Sequence, residues 1–293
     1  MATLRDIKRR IVGVKNTQKI TKAMKMVATA KLRRAQNRII NARPYAIKIS
    51  ELLSNLSTED DVLNNPFFRA REVKNVAVVV VTSDRGLCGA FNANIIKAAV
   101  HYIKDEVESK NLSTKVYCIG KKSSDYFTKR NYNILGSVKG LFSSLDYSSS
   151  LNIYNEVLKD YNEGKVDKVI LIYNEFVSII QQKIITKQFL PIALEKTEEN
   201  EKAINPNFIY EPNQKAIFNH LIPKHLKAQI WRALLESNAA ELGARMTAMD
   251  NATTNASDLI RSLNITYNKE RQAAITKEIL EIVSGANALK SNS

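Results

Sequence analysis

The chain has 293 residues, of which 44% are hydrophobic, so it can form two ordinary domains or one domain with long appendages. It carries 44 Lys and Arg against 29 Asp and Glu, a formal charge of +15, which favours nucleic acid, an anionic membrane or an acidic protein as a partner. The sequence lacks an apolar run of about 18 residues and the pattern of a signal or transit peptide. We therefore expect a soluble protein of the bacterial cytoplasm. Its two cysteines, Cys88 and Cys118, form no CxxC pair, and we expect free thiols in a reducing compartment.

Residues 1–58 contain one glycine and one proline and predict a single long helix. Alternating steps of three and four residues from Leu4 to Leu56 give sixteen positions, of which thirteen are apolar, as a coiled-coil seam requires. Pro44 predicts a kink and not an end, because the seam continues beyond it. The three polar seam positions are consecutive: Gln18, Thr21 and Lys25. They set the register against a partner helix, or this stretch leaves its partner and faces something else.

Residues 206–293 predict a second long helix, which starts near EPNQKAIF and has Pro223 in an early turn or at a short break. Small residues recur at every fourth position and would let another helix approach closely: Ala240, Ala244, Ala248, Ala252 and Ala256, with Gly243 beside them. A larger apolar stripe follows at Ile275, Ile279, Ile282 and Leu289. At about 1.5 Å per residue the two helices would extend roughly 80 and 110 Å, several times the diameter of a compact domain. We therefore expect an antiparallel coiled coil in which the C-terminal helix overhangs.

Residues 72–205 predict a Rossmann-like α/β/α domain, because strand-like and helix-like runs alternate and such alternation favours parallel strands. We expect strands at 75–81, 116–120 and 168–173, helices at 91–109 and 147–163, and a late edge strand within 178–192. The acidic run at 195–201 is interpreted as a solvated linker. The predicted fold is thus α/β, with a long antiparallel coiled coil formed by the N- and C-terminal helices.

The stretch TSDRGLCGAF after the first strand raises the question of a nucleotide site. The dinucleotide fingerprint needs three glycines at GxGxxG spacing, and this turn has two glycines three residues apart. The phosphate loop GxxxxGK[ST] also fails, because Gly120 and Lys121 are followed by Lys122 and preceded by Lys115 where the earlier glycine belongs. We therefore expect no nucleotide here.

The remaining patterns for catalysis or metal binding are missing as well. The histidines His101, His220 and His225 are scattered, and the last two are five residues apart, which is off the i, i+4 face that a helical metal pair uses. The sequence has no GxSxG elbow, and we expect Cys88 and Cys118 to be buried or to line turns. The sequence therefore predicts neither a metal site nor an active site.

Three segments together resemble the γ subunit of the F-type ATP synthase, in order and at matching separations over nearly the whole chain. They are IVGVKNTQKITKAMKMVATAKLRRAQ near the start, TSDRGLCGAFN in the middle and YNKERQAAITKEILEIVSGANAL at the end. The resemblance implies the central shaft of F1, one copy per complex, which transmits rotation of the membrane c ring to the β-subunit catalytic sites for ATP synthesis, or for hydrolysis in reverse. The coiled coil would occupy the cavity of the α3β3 hexamer, and the α/β domain at the foot would contact the ε subunit and the c ring.

The resemblance also implies that this subunit is not itself catalytic and holds no cofactor or metal, since MgATP and MgADP are bound by α and β. It implies a peripheral position on the cytoplasmic face of the bacterial inner membrane, with no nucleic acid bound. The chloroplast members carry a cysteine-bearing insertion that this sequence lacks, so redox control is not expected.

Several residues match family positions that contact β. Met24 and Lys25 correspond to the face against the acidic lever segment of β. The positions that meet the catch loops of β are matched by Arg245, Arg271, Gln272, Thr276 and Glu278. The simpler alternative is that the arginines are solvated helix charges, which contribute little individually.

The family-signature turn comprises Asp84, Arg85, Gly86, Cys88 and Gly89. We expect the two glycines to permit a tight turn, and Asp84 and Arg85 to hold it or to contact a neighbouring subunit. Two alternatives stay open on the residues alone: a basic coiled-coil protein that binds nucleic acid, and a Rossmann-type enzyme with a helical arm.

Overall fold

The computed structural model describes residues 3–56, 65–69, 71–193 and 210–291, with side chains except at 286 and 288–291. The helices are α1 Leu4–Leu56, α2 Phe91–Tyr102, α3 Lys121–Thr128, α4 Tyr147–Asn162 and α5 Gln214–Ser291. The strands are β1 Asn75–Val81, β2 Ser113–Ile119, β3 Ile134–Val138, β4 Lys168–Phe176 and β5 Gln182–Leu190. A π-helical turn, Ile103–Val107, and a 3-10 turn, Glu108–Lys110, follow α2, and a second 3-10 turn covers Leu141–Ser143.

The five strands form one sheet in the order β3-β2-β1-β4-β5. The pairs of β1 with β2, β1 with β4 and β2 with β3 are parallel, and β5 is antiparallel to β4 at the edge. The chain therefore moves outward from β1 to β3 and then returns to the other side of β1, as in a doubly wound sheet. This confirms the predicted Rossmann-like α/β class and the late edge strand.

Alternate residues of the buried strands point to opposite faces of the sheet. On one face, Val78 and Val80 pack with Ile95 and Ala99 of α2 and with Phe127 of α3. On the other face, a small apolar cavity is lined by strand residues and by residues of α4 and α5, which are Val79, Val81, Ile119, Ile153, Val157, Leu171, Phe189, Ile230, Ala233 and Leu234. The C-terminal helix is thus part of the α/β/α layering.

The chain divides into two compact units, Ala28–Arg245 and the pair of segments Met1–Val27 with Met246–Ser293. The sheet and its covering helices lie in the first unit. In the second, Ile7 and Ile11 of α1 pack with Leu263 of α5, and Val14 and Tyr267 lie against them. Residue numbers rise along one helix while they fall along the other, so this helix pair is antiparallel as predicted.

The sixteen seam positions of α1 are all buried or half-buried. The polar ones hydrogen-bond to α5: Gln18 Nε2 to Ser257 at 2.6 Å, Thr21 Oγ1 with Thr253 Oγ1 at 2.8 Å, and Lys25 Nζ to Asp250 at 2.6 Å. Polar layers of this kind set the register of a helix pair because a slip would leave their donors and acceptors unmatched. The interpretation as register-setting residues is therefore right, and the alternative that this stretch leaves its partner helix is wrong.

The helices α1 and α5 contain Pro44 and Pro223 without ending there. The prediction that α1 continues beyond Pro44 is confirmed. α5 begins after Asn213, whose side-chain oxygen accepts the Ala216 N–H at 2.8 Å and caps the first turn. Sequence patterns missed β3 and α3, and the linker at 195–201 lies outside the described residues.

Candidate functional site

The signature turn follows β1 at the carboxyl end of the sheet, beside the place where β1 lies between β2 and β4. Doubly wound folds bind their ligands at this point, because the strand order reverses there and leaves a crevice. In this chain the region is occupied by protein side chains, as the contacts below show.

The inner side of the turn is a network of small polar groups. The Asn92 side-chain oxygen accepts the Ser83 N–H at 2.9 Å, and its Nδ2 donates to Ser83 Oγ at 2.8 Å and to Cys88 Sγ at 3.1 Å. Ser83 Oγ donates to the Arg85 carbonyl at 2.7 Å. Cys88 is buried with Phe91 and Ala240, and burial raises the pKa of its thiol. The thiol is thus a packing and hydrogen-bonding group, as predicted, and not a thiolate.

Asp84 points away from this network and accepts three backbone N–H groups from two distant segments. Its Oδ1 accepts from Lys121, at the start of α3, at 3.0 Å and from Gly140 at 2.8 Å. Its Oδ2 accepts from Phe142 at 3.3 Å. Bonds from amides to a charged carboxylate are stronger than neutral ones, so Asp84 fastens the turn to the domain.

Left-handed backbone occurs at two residues of the turn, Gly89 with φ 58° and Leu87 with φ 64°. Gly89 thus has a backbone conformation that favours glycine, whereas the φ of Gly86 is not positive, and a role for Gly86 in permitting the turn stays a prediction. Gly120 has φ 96°, and a Cβ there would lie 2.1 Å from the Thr82 carbonyl oxygen. Gly120 therefore permits the close approach of the two loops that Asp84 joins.

Arg245 of α5 contacts the turn from the opposite side. Its Nη1 donates to the Gly86 carbonyl at 2.6 Å, and its Nε donates to Glu241 Oε1 at 2.8 Å. Burial raises the pKa of Glu241, and the charge of Arg245 partly opposes that effect. Side-chain exposure is 14% for Arg245 and 8% for Glu241, so this pair is largely removed from water.

A second buried ion pair joins α1 to α5 and to the end of β4. Glu236 has a side chain with 0% exposure and accepts from Arg43 Nε at 2.8 Å and Arg43 Nη2 at 3.0 Å. The Phe176 N–H donates to Glu236 at 3.1 Å, and the Phe176 carbonyl accepts from Arg43 Nη2 at 3.1 Å. The hydrogen bond to Glu236 raises the pKa of Arg43. Three elements therefore meet at one carboxylate.

In the described part of the chain, no group of three or more His, Cys, Asp or Glu side chains is placed to hold a metal ion. His101 is exposed and paired with Asp105 at 2.9 Å, His220 is exposed, and His225 is buried in α5 with its pKa lowered by burial to about 4. The arrangement at the turn is suited to holding segments together.

The family model described as ATP synthase matches residues 3–289. The ATP synthase gamma chain of Chloroherpeton thalassium is 53% identical over 301 residues, which cover 99% of each chain. The ATP synthase gamma chain of Chlorobaculum parvum is 54% identical over 293 residues, covering 99% of this chain and all of the relative. The chain belongs to the ATP synthase γ-chain family.

Solved structures agree with this membership. A chain of the Tetrahymena thermophila mitochondrial ATP synthase, from its central stalk and c ring, is 26% identical with a TM-score of 0.60, covering 80% of this chain and 99% of that one. A chain from the Euglena gracilis mitochondrial enzyme in rotational state 3 is 21% identical with a TM-score of 0.67, covering 99% and 95%, and it supports the fold.

The residues expected from the sequence to contact β lie in different surroundings. Met24 is half-buried, and Lys25 is bonded to Asp250 with 38% of its side chain exposed. Arg245 is held within its own chain at Glu241 and Gly86. Four residues lie exposed on the later part of α5: Arg271, Gln272, Thr276 and Glu278. The last four are thus open to a partner, while Arg245 is largely enclosed.

Sequence reasoning missed several residues that hold the turn or the helices in place. Asn92, Glu241 and the Arg43–Glu236 pair were not singled out, and Gly120 was considered only as part of a phosphate loop. Asn92 had the clearest signal, since an asparagine in the first turn of a helix, a few residues after a Ser and a Cys, invites hydrogen bonds back to the preceding loop. The pairs of Arg43 and Arg245 are long-range or hidden among many helix charges, and the sequence gives no mark that distinguishes them.

Proposed function

We propose that this chain is the rotor subunit of the central stalk of an F-type ATP synthase, which couples rotation to conformational change at catalytic sites on another subunit. The observation that carries this proposal is the match to relatives named ATP synthase gamma chain at 53–54% identity over 99% of the chain. The subunit is non-catalytic, and its action is mechanical. A rotor of this kind drives a site only by contacting that site's conformers with different free energies.

The described contacts suit a part that must resist twisting. Successive polar and apolar layers fix the register of the α1–α5 pair in the second unit, from Ile7 with Leu263 to Lys25 with Asp250. In the first unit the Arg43–Glu236 ion pair and the sheet hold the same two helices. A helix pair with fixed register transmits rotation because neither helix can slide along the other.

The partners we propose are the α3β3 hexamer, the ε subunit and the c-subunit ring. The excess of positive charge supports an acidic protein partner, since exposed Lys and Arg are spread along α1. The exposed residues Arg271, Gln272, Thr276 and Glu278 are proposed as contacts to β near one end of α5, and Met24 and Lys25 as contacts elsewhere along the stem.

Nucleotide and location follow from the same proposal. MgATP and MgADP would bind to α and β, and this chain would hold no cofactor of its own. Its proposed location is peripheral, on the cytoplasmic face of the bacterial inner membrane. Among the described residues, none of the helices combines the length and apolar character needed to span a membrane.

The test is assembly from purified subunits. The chain is mixed with α and β, and the expected product is a complex with one copy of the chain per α3β3 hexamer that hydrolyses MgATP. A chain that leaves the hexamer fractions on gel filtration, or binds nucleic acid with steep salt dependence instead, would contradict the proposal.

A truncated variant ending at Ser284 separates coupling from folding. The residues before this point on α5 are exposed at Ile275, Ile279 and Ile282, so no described packing within the chain depends on the segment that is removed. We expect assembly to persist while ATP-driven proton pumping by the full complex falls. Loss of the α/β domain's fold in the truncated chain would count against the proposal.

A further inference from the structure

The signature turn has one anchor on the α/β domain, and that anchor is an anion. The Asp84 carboxylate accepts N–H groups from Lys121, Gly140 and Phe142, at 3.0, 2.8 and 3.3 Å. Converging backbone amides are the means by which α/β folds bind phosphate or carboxylate ligands at this end of the sheet. Here the chain fills the position with its own carboxylate, which comes from the loop after β1.

The turn has a second anchor on α5. Arg245 donates to the Gly86 carbonyl at 2.6 Å, and Glu241 holds the guanidinium from one helical turn earlier. Beside this bond Cys88 and Phe91 pack on Ala240 of the same helix. The turn therefore hydrogen-bonds to the domain through residue 84 and to the C-terminal helix through residue 86, and it packs on that helix through residue 88.

Arg245 is largely buried, and its guanidinium hydrogen-bonds within its own chain. Only 14% of its side chain is exposed, and Nε, Nη1 and Nη2 all donate to groups of this chain. A largely desolvated arginine bonded to a carboxylate and a carbonyl has little surface left for a partner subunit. This distinguishes Arg245 from Arg271, which is exposed on the same helix.

We propose that the signature turn is a two-ended tie between the α/β domain and the C-terminal helix, in which Asp84 acts as an internal anion and Arg245 acts as a positioning residue within the chain. The inference rests on the proposed rotor function, because a tie matters most where one part must turn the other. α5 continues without a break from the tied segment to Ser291, so a rotation imposed on the domain is passed to the helix at this joint. Asp84 and Arg245 influence coupling through the turn, by holding it to the domain and to α5.

The first test concerns the anion position and does not involve rotation. Asp84→Ala removes the carboxylate from a half-buried site that water and small ions can reach. We expect the melting temperature of the purified chain to fall by about 3–8 °C, and 100 mM formate to restore about 1–3 °C relative to chloride at equal ionic strength. Wild type should show no difference between the two salts.

Glu51→Ala is the matched control, since the Glu51 carboxylate accepts from Lys48 Nζ at 2.6 Å and lies in the interior of α1. Backbone amides inside a helix are already bonded within it, so formate should not act on this variant. A folded Asp84→Ala chain without specific formate stabilisation would overturn the anion assignment. If the alanine variant does not fold, Asp84→Asn is used: it keeps the side-chain volume, and a melting temperature equal to that of wild type would overturn the assignment in the same way.

The second test measures coupling in the assembled complex. Arg245→Met removes all three donor nitrogens while keeping an unbranched side chain. We expect ATP-driven proton pumping per ATP hydrolysed to fall by at least about twofold, because losing a charge-assisted hydrogen bond raises the population in which the turn is not bonded to α5 by about tenfold or more. Arg245→Lys can still donate to the Gly86 carbonyl and should recover part of the ratio. Arg261→Met, at an exposed arginine of the same helix, is the control and should leave the ratio unchanged.

The two tests separate the possible failures. A wild-type complex that hydrolyses ATP but never pumps would overturn the proposed function. A wild-type complex that pumps, with an Arg245→Met complex equally well coupled, would overturn the tie alone. An Arg245→Lys complex no better coupled than Arg245→Met would show that the bond to Gly86 is not the cause of the effect and would also overturn the inference.

Discussion

The buried carboxylate of Glu236 gives the sharpest stability prediction. Glu236→Leu removes a side chain that has no exposure and that accepts two hydrogen bonds from Arg43 and one from the Phe176 N–H. Breaking a buried ion pair by removing one partner costs about 3–5 kcal/mol. Arg43 has 40% of its side chain exposed and can turn to water, so we expect the lower end, about 3 kcal/mol.

Unfolding in urea, followed by tryptophan fluorescence, measures this loss. The chain has one tryptophan, Trp231, which lies in α5 shortly before Glu236. Its ring packs edge-on against the ring of Tyr147, with the ring centroids 5.7 Å apart. Its signal therefore reports on the unit that contains the ion pair. With a urea slope of about 2–3 kcal/mol per molar, the midpoint should fall by about 1–1.5 M.

Two further variants decide whether the ion pair is the cause. Glu51→Leu makes the same change in the exposed pair with Lys48 and should cost less than about 0.5 kcal/mol. Arg43→Met combined with Glu236→Leu should cost less than the sum of the two single changes, because the hydrogen bonds between Arg43 and Glu236 can be lost only once. A Glu236→Leu cost below about 1 kcal/mol, or strict additivity in the double variant, would refute the reasoning.

Three other predictions follow from burial and backbone geometry. Burial lowers the pKa of His225 from 6.5 to about 4, so as pH falls the unfolded chain binds a proton before the folded chain does. The contribution of His225 to the free energy of unfolding should be fully present above pH 6.5 and should decline by about 3 kcal/mol towards pH 4. His225→Phe should flatten this part of the curve of urea midpoint against pH. Gly120→Ala should lower the free energy of unfolding by about 3 kcal/mol, measured by thermal unfolding, because strain at positive φ adds to the clash of the new Cβ with the Thr82 carbonyl. Gly140→Ala is the control: with φ 79° and no atom within 4 Å of the new Cβ, it should cost about 1 kcal/mol. Cys88 and Cys118 are buried, and burial raises the pKa of both thiols, that of Cys118 to about 11. A thiol reagent at pH 8 should therefore modify both cysteines far more slowly in the native chain than in urea. Rapid labelling of the native chain would contradict this packing.

Periodicity predicted the large elements because it depends on local sequence. The α1 seam, the long C-terminal helix and the apolar strands β1, β2 and β4 each repeat a burial pattern over many residues. The five-residue β3 contains a glycine, and α3 has a largely polar sequence, so neither has enough pattern to detect. The same counting identified the polar seam residues, but only the structure shows which side chains of α5 form hydrogen bonds with them.

The site is harder to predict because its bonds join residues that are distant in sequence. The Asp84 carboxylate accepts hydrogen bonds from backbone amides 37, 56 and 58 residues away in sequence. The Arg245 guanidinium donates to a backbone carbonyl 159 residues away. The sequence lacks the glycine spacing of a phosphate loop at the turn. It could not show that an aspartate would occupy the amides, since the donors are backbone groups and carry no residue signature.

The use of the carboxyl end of the sheet explains how a nucleotide-type fold can serve as a mechanical part. A doubly wound sheet leaves a crevice where its strand order reverses, and a ligand normally satisfies the amides that face it. In this chain Asp84 satisfies such amides, while Ser83, Asn92 and Cys88 fill the adjoining space and Ala240 packs on it. Because Asp84 and these side chains already occupy the crevice, the proposed tie between the domain and α5 needs no bound ligand. A permanent internal anion is therefore better suited than a bound phosphate to a contact that has to hold a helix under load.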